Sequence, residues 1–351
     1  MSVKLLYVSG YHPTLEHDDL DLFSELGIDW FSTGIYMDPA SPFKQVGWRD
    51  NIQKTVDDAL LYEFKLLNPN HKTNSYINLS KNFVDNFDVI LINFSFLCQR
   101  ILDDIWDKCK HKLVIYRTYC QQFSDFELKL RSYKKKGLKI LRVSERESTL
   151  KSYAGHDGII SGFVDKDIYK GWTGGISKVL TFANDFPARI NHPNFDCYRA
   201  YLEIKKHIPY TLHGMQSEFV GGGGFLPWKD QLSLYNNHNA YLALPSPPST
   251  ATYNFVEAWV SGIPVITFGE ELGNGVGYRT WEPPYVIENG VDGFFSDDLD
   301  EIIKACCDII EDKDLQKQFS ECGREKCISI YGKEVIKNKW IEFFNSLGVN
   351  L

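Results

Sequence analysis

The sequence predicts an α/β protein made of two Rossmann-like doubly wound domains facing a cleft, and three observations predict it. The chain has 351 residues, too many for one small core and suited to two domains. Short apolar runs that end in Gly, Ser, Thr or Asn alternate with helix-like segments, which is the pattern of a parallel sheet covered on both faces. The alternation breaks at a polar, aromatic and glycine-bearing stretch, 165–177, which fits an interdomain linker, and then resumes.

The run KLLYVSG opens the first strand, and YHPTLEHDD follows it at the strand's carboxyl end. Asp18 and Asp19 read as helix caps. The aromatic stripe of DLFSELGIDWFSTGIYM reads as core. NIQKTVDDALLYEFKLLN and ILDDIWDKC carry a helical pattern. FDVILINFS, HKLVIYRTY and GLKILRVS read as strands, and GIISGFV extends the series to about residue 164. The second domain opens on the strand KVLTFAND, followed by a helix near DCYRAYLEIKKH and the strand YTLHG. A glycine run, LPWKDQLSLYNNH and AYLALP come next, and then YVIENGVDGFFSDDLDEIIKACCDII. The tail GKEVIKNKWIEFFNSLGV is an amphipathic helix with no strand after it. The expected domains are therefore 1–170 and 171–333, with a C-terminal helix, 334–351, packing back toward the first.

Composition narrows the function classes. Hydrophobic content of 43% and aromatic content of 14% sustain packed interiors and argue against disorder. No window reaches the run of about 18 apolar residues that a spanning helix needs. The N-terminus turns polar too early for a secretory signal and reads as an initiator methionine leading into a buried strand. Eight cysteines lie without a Cys-x-x-Cys pair or metal-ligand spacing, so they read as reduced cytoplasmic thiols, with no metal site. The net charge is −8, but residues 108–151 hold 13 Lys or Arg against 4 Asp or Glu. That segment is locally +9, leaving −17 for the remainder of the chain. Such asymmetry marks either a surface for nucleic acid, anionic lipid or phosphate, or a solvated helix face.

The most informative stretch is LPSPPSTATYNFVEAWVSGIPVITFG, 244–269. Thr252 or Asn254 suits the cap of the helix that follows, and the amides of its first turn form an anion site to which the helix dipole adds. Glu257 lies about one turn further in. There a carboxylate suits the two hydroxyls of a ribose, while an ordinary exposed helix glutamate is the other reading.

This stretch resembles the donor-binding signature of the retaining glycosyltransferases of family four, which have the GT-B fold. Pro245 and Ser246 begin the match, and Glu257-Ala258 with Gly262, Pro264 and Val265 end it. The resemblance implies that Glu257 holds the ribose of a nucleotide sugar, and that the amides of Thr252, Tyr253 and Asn254 meet the phosphates and the sugar. The family's first glutamate falls at Ser249, which leaves sugar identity and stereochemical outcome open. In FANDFPARINHPN, where the family grips the diphosphate with a glycine, an arginine and a nearby lysine, Arg189 is the candidate cation. In GGGGFLPWKDQL, Leu226, Pro227 and Trp228 are candidates for the nucleobase site, with Trp228 as plain core the alternative.

Three first-domain residues belong to the same picture. Gly10 permits close backbone approach to the donor. His12 is placed to bond a sugar hydroxyl or steady developing charge, as an acceptor-side or catalytic residue. Arg117, at the end of HKLVIYRT, is the candidate acceptor contact. The function expected is transfer of a hexosyl group from a nucleoside diphosphate sugar, taken as a UDP-sugar, to a hydroxyl, with retention and without a metal or resident cofactor. Acceptors in view are a glycan, a lipid-linked sugar, a small molecule or DNA. The DNA version is a phage-type enzyme acting on hydroxymethylated bases, and it would draw on the basic segment 108–151. The location follows the acceptor: cytoplasm, membrane surface or phage-infected host cell. From another class, a non-catalytic sugar-nucleotide binding protein fits the missing glutamate at Ser249.

Overall fold

The structure, a computed structural model, describes residues 2–9, 13–34, 57–69, 77–93, 101–118, 120, 122–275 and 277–351. The chain divides into two compact units, Met1–Gly162 with Ile336–Leu351, and Phe163–Val335.

The first unit is a six-stranded sheet of β1 (Lys4–Ser9), β2 (Asp29–Ser32), β3 (Val89–Asn93), β4 (Leu113–Arg117), β5 (Lys139–Arg142) and β6 (Gly158–Ile159), in the order β2-β1-β3-β4-β5-β6. All of its pairings are parallel. Because side chains alternate along a strand, β1 sends Leu6 and Val8 into one buried layer with Ile90, Ile92, Val114 and Ile140. Tyr7 turns to the other face, near Phe23 of helix Pro13–Glu25. Trp340 and Phe344, from the C-terminal helix Lys333–Ser346, complete that layer, with Trp340 edge-on to Phe23 at 5.0 Å.

The second unit is a five-stranded parallel sheet of β7 (Ile176–Phe182), β8 (Tyr210–His213), β9 (His238–Ala243), β10 (Val265–Phe268) and β11 (Phe294–Ser296), in the order β11-β10-β9-β7-β8. Ala240 and Leu242 of β9 face one buried layer, and Tyr241 and Ala243 the other. Burial on both faces is why these strands read as near-continuous apolar runs. One helix missing from the sequence-based reading, Lys313–Tyr331, packs against helix Tyr253–Ser261. Gly323 makes the approach possible, since a Cβ there would lie 2.6 Å from Trp259 Nε1 and 2.7 Å from the Asp292 carbonyl. Gly323→Ala should therefore destabilise the protein by about 1–3 kcal/mol, through overpacking, read as a lowered urea midpoint.

Two expectations need correction. The stretch 165–177 is not a bare linker: Tyr169 is buried in the core of the second unit. The Arg324 guanidinium also donates to the carbonyls of Lys166, Tyr169 and Val260. Asp18 and Asp19 are not caps, because their helix begins at Pro13 and both carboxylates are buried within it.

Five of the seven described cysteines are buried, and no disulfide forms among the described residues. Burial pushes the thiols of Cys109 and Cys197 up to about 12, so both stay protonated at neutral pH. No described helix is long and apolar enough to cross a membrane.

Candidate functional site

In an open parallel sheet, ligands bind beyond the carboxyl ends of the strands, where the strand order reverses. In the second unit the chain leaves β7 toward β8 on one side and returns to β9 on the other, so the switch lies between β7 and β9. The segments that follow these two strands hold Arg189 and the signature stretch, respectively.

After β7, Phe186 is fully buried and pins the short helix Phe186–Ile190 against Tyr198, at 4.9 Å between rings. This fixes Arg189 beside helix Asp196–Ile204. Its guanidinium lies over the rings of Phe195 and Tyr198, 5.2 Å from each centroid. Nη1 donates to the Tyr198 hydroxyl at 2.5 Å and to the Ser246 hydroxyl at 2.7 Å. Burial pushes the Tyr198 phenol up to about 12, against the lowering effect of Arg189, so it remains a neutral partner. A guanidinium carries five N–H groups. Among the described residues both of its hydrogen-bond partners meet Nη1, so Nη2 and Nε are the groups to offer an anion. The hydrogen bond between Arg189 and Ser246 joins the loops after β7 and β9 across the switch.

After β9, Ser249 N–H donates to the Ser246 carbonyl at 2.9 Å in a tight turn, and Ser249 itself is half-buried. Helix Tyr253–Ser261 begins at Thr252, whose hydroxyl accepts from Phe255 N–H at 3.3 Å. It ends at Gly262, in the left-handed region at φ 91°. The helix dipole makes that end electropositive. Tyr253 and Asn254, in this turn, are half-buried.

Glu257 is 5% exposed, so it is not a surface glutamate. Tyr169 donates to Oε1 at 2.6 Å, and Tyr235, on helix Trp228–Asn237, donates to Oε2 at 3.3 Å. Asn254 Nδ2 lies 3.3 Å from the same Tyr235 hydroxyl. Trp228, half-buried at the helix start, donates from Nε1 to the Tyr169 hydroxyl at 3.1 Å. Leu226 and Trp228 both pack on the core layer that contains Phe255 and Trp259. The structure thus gathers Trp228, Asn254 and Glu257 into one polar network, and Arg189 and Ser246 into another. Sequence reading missed Tyr169, Tyr198 and Tyr235, since isolated tyrosines in amphipathic segments give no signal beyond core. The glycine run is an ordered loop: Gly223 N–H donates to the Leu212 carbonyl and Gly214 N–H to the Gly224 carbonyl.

In the first unit the switch lies between β1 and β3. Gly10 and His12, which follow β1, lie outside the described residues. Arg117 departs from expectation. It is fully buried, paired with Asp19 at 2.5 Å, bonded to the carbonyls of Ile160 and Ser161, and set over the Trp340 ring. This arginine ties the strands to the C-terminal helix and is not presented to an acceptor. Glu16 is also fully buried, at the ends of β1 and β2, where Ser9 and Ser32 hydroxyls donate to it.

The basic segment also reads differently in three dimensions. Arg117 and Arg142 are interior, while Lys110, Lys129, Lys134 and Lys139 pair with Asp107, Asp103 and Asp157. Arg131 bonds the carbonyls of Ser152 and Tyr153. Three carboxylates from outside the segment, Asp103, Asp107 and Asp157, therefore offset part of its excess.

No protein-family model matches the chain, and no curated protein matches it. Among solved structures it is similar to a glycosyltransferase from Rickettsia africae ESF-5, at 13% identity and TM-score 0.65 over 100% of both chains. It is also similar to Anabaena HepE in complex with UDP-glucose, at 15% identity and TM-score 0.61 over 98% of this chain and 99% of that one. A third likeness is to S. aureus TarM in complex with Fondaparinux, alpha-GlcNAc-glycerol and UDP, at 14% identity and TM-score 0.55. That match covers 82% of this chain, which spans 58% of the length of TarM. At such identities the likeness establishes the fold: two doubly wound parallel sheets of the GT-B glycosyltransferase type.

Proposed function

We propose that the protein is a glycosyltransferase that moves a sugar from a nucleoside diphosphate donor, a UDP-sugar, to a hydroxyl acceptor. One observation carries the reading: Arg189 is bonded to Ser246, the second residue of the signature, across the β7–β9 switch. A cation and a helix N-terminus after adjacent strands suit a diphosphate. Supporting context comes from neighbours of the same fold whose structures hold UDP or UDP-glucose.

In the proposed mechanism the donor binds the second unit. The diphosphate lies between Arg189 and the first-turn amides of Thr252, Tyr253 and Asn254, and the ribose hydroxyls bond Glu257. Leu226 and Trp228 form the apolar wall toward the base. As the glycosidic bond breaks, negative charge grows on the leaving diphosphate, and Arg189 with the amides stabilises it more in the transition state than in the ground state. Transfer proceeds with retention and without a metal. Ser249 offers the donor sugar a hydroxyl where the resembled family offers a carboxylate. The acceptor is a neutral hydroxyl compound. Duplex DNA is the alternative acceptor, drawing on the basic segment 108–151.

Two measurements test this. In a thermal-shift panel of nucleoside diphosphates, UDP at about 100 times its Kd should add about 2.7 kcal/mol to the stability of the form that binds it. Wild-type protein incubated with UDP-glucose and no acceptor should release UDP slowly. Tight nucleotide binding with no release under any condition would favour the non-catalytic binding protein, and no shift with any nucleotide would reject both readings.

A further inference from the structure

We propose that an acid-lined cavity beside strand β11 receives the basic helix Ser124–Lys134 of a second copy of this chain. The inference is independent of the nucleotide-sugar reading above.

Strand β11 is an edge of the second sheet, separated by β10 from the strands of the β7–β9 switch. Beside it, helices Leu299–Glu311 and Lys313–Tyr331 help to enclose a cavity of about 440 Å³. Its wall is apolar, from Phe294, Ile309, Leu315 and Phe319, and the carboxylates that line it are Glu301 and Asp308. The surroundings are strongly acidic. From Glu288 to Asp314 the chain carries ten Asp or Glu against two Lys, a local balance of −8. An occupant that fits must offer an apolar side chain flanked by cations. This chain carries such an element. Helix Ser124–Lys134 buries Phe126, Leu130 and Tyr133 but leaves Leu128 52% exposed. Arg131 and Lys135, three and seven positions on, share the face of Leu128 and are also exposed. The Ser152 and Tyr153 carbonyls hold the Arg131 guanidinium in place. The segment around this helix, 108–151, is +9, and still +6 once Asp103, Asp107 and Asp157 are set against it. An evenly spread charge of −8 would keep copies apart, but here the charge is segregated, basic in the first unit and acidic in the second. The first unit of one copy is therefore attracted to the second unit of another. Leu128 enters the apolar cavity, while Arg131 and Lys135 meet Glu301 and Asp308. Asp308 is already paired with Lys304 on its own helix, but a surface pair of this kind yields at little cost.

Sedimentation velocity on the whole protein tests the contact. Wild type should associate in about 0.1 M salt and be monomeric in about 1 M, where the screening length falls from about 10 Å to about 3 Å. Leu128→Asp should weaken association by more than about tenfold. Two charge-reversed variants, Glu301→Lys with Asp308→Lys and Arg131→Glu with Lys135→Glu, should each be monomeric alone. Their equimolar mixture should associate, because the new glutamates of one face the new lysines of the other. None of the substituted side chains is buried, and an unchanged urea midpoint for each variant separates loss of contact from loss of fold. A wild type that stays monomeric at low salt overturns the proposal, and so does a mixture that fails to associate. A monomeric wild type that instead binds a lysine-rich amphipathic peptide overturns the second copy as the occupant.

Discussion

Arg142→Met should destabilise the first unit by about 3–5 kcal/mol, because it strands two carboxylates in the interior. Arg142, Glu127 and Glu147 are all fully buried. The guanidinium bonds Glu127 at 2.6 and 2.8 Å, Glu147 at 3.2 Å, and the Gly155 carbonyl through Nε and Nη2. Glu147 in turn accepts from Thr118 and from the backbone of Val143, and Glu127 accepts from Ala154 N–H. Burial raises the Glu147 carboxyl above its ordinary value, and Arg142 is the largest influence lowering it. Without the arginine the Glu147 carboxyl should sit higher still. A folded-state value raised above the unfolded one confers stability at low pH that is lost as pH rises through it. The gap between wild type and Arg142→Met in urea midpoint should accordingly narrow from pH 7 to pH 5. Adding Glu127→Gln should recover part of the loss, a coupling that distant sites would not show. A gap that widens on acidification would mean that the carboxylates are not the source of the instability.

That triad also shows where the sequence stops being legible. The order of strands and helices follows from local pattern, since buried parallel strands are apolar and their ends are small and polar. The signature was legible because Pro245, Glu257, Gly262 and Pro264 fall within one short window. Arg117 misled for the opposite reason. An arginine at a strand's carboxyl end reads as a site residue, and its fate was decided by Asp19, 98 positions away. The charge excess of 108–151 is smaller in three dimensions than in the window, since Asp103, Asp107 and Asp157, which offset part of it, lie just outside. Arg189 was singled out by its place after a strand, but its bond to Ser246, 57 positions on, is a property of sheet order alone. Tyr169 was hidden in a stretch whose glycines and charges resemble a linker. Composition records flexibility of the backbone and is silent on one phenol turned inward.

Arg189→Ala should lower the rate of UDP release from UDP-glucose by about 10²–10³-fold, the range seen when one donor to a developing oxyanion is removed. The effect should fall mainly on kcat. In the proposed site the diphosphate is already charged in the ground state and would share its contacts with the helix amides, so UDP affinity should drop by only about tenfold. Stability should change little, since Arg189 is half-buried and Tyr198 keeps its packing on Phe186. Arg189→Lys separates charge from shape. An ammonium supplies the charge but lacks the planar fork that reaches Ser246 and an anion together, so it should restore only part of the rate. Ser246→Ala tests the other half of the contact. If Ser246 serves to aim the guanidinium, its loss should cost turnover beside Arg189 and nothing in the Arg189→Ala background. An Arg189→Ala protein that releases UDP within about threefold of the wild-type rate would place the charge-stabilising group elsewhere, because a cation worth less than about 1 kcal/mol is not acting on the departing phosphate.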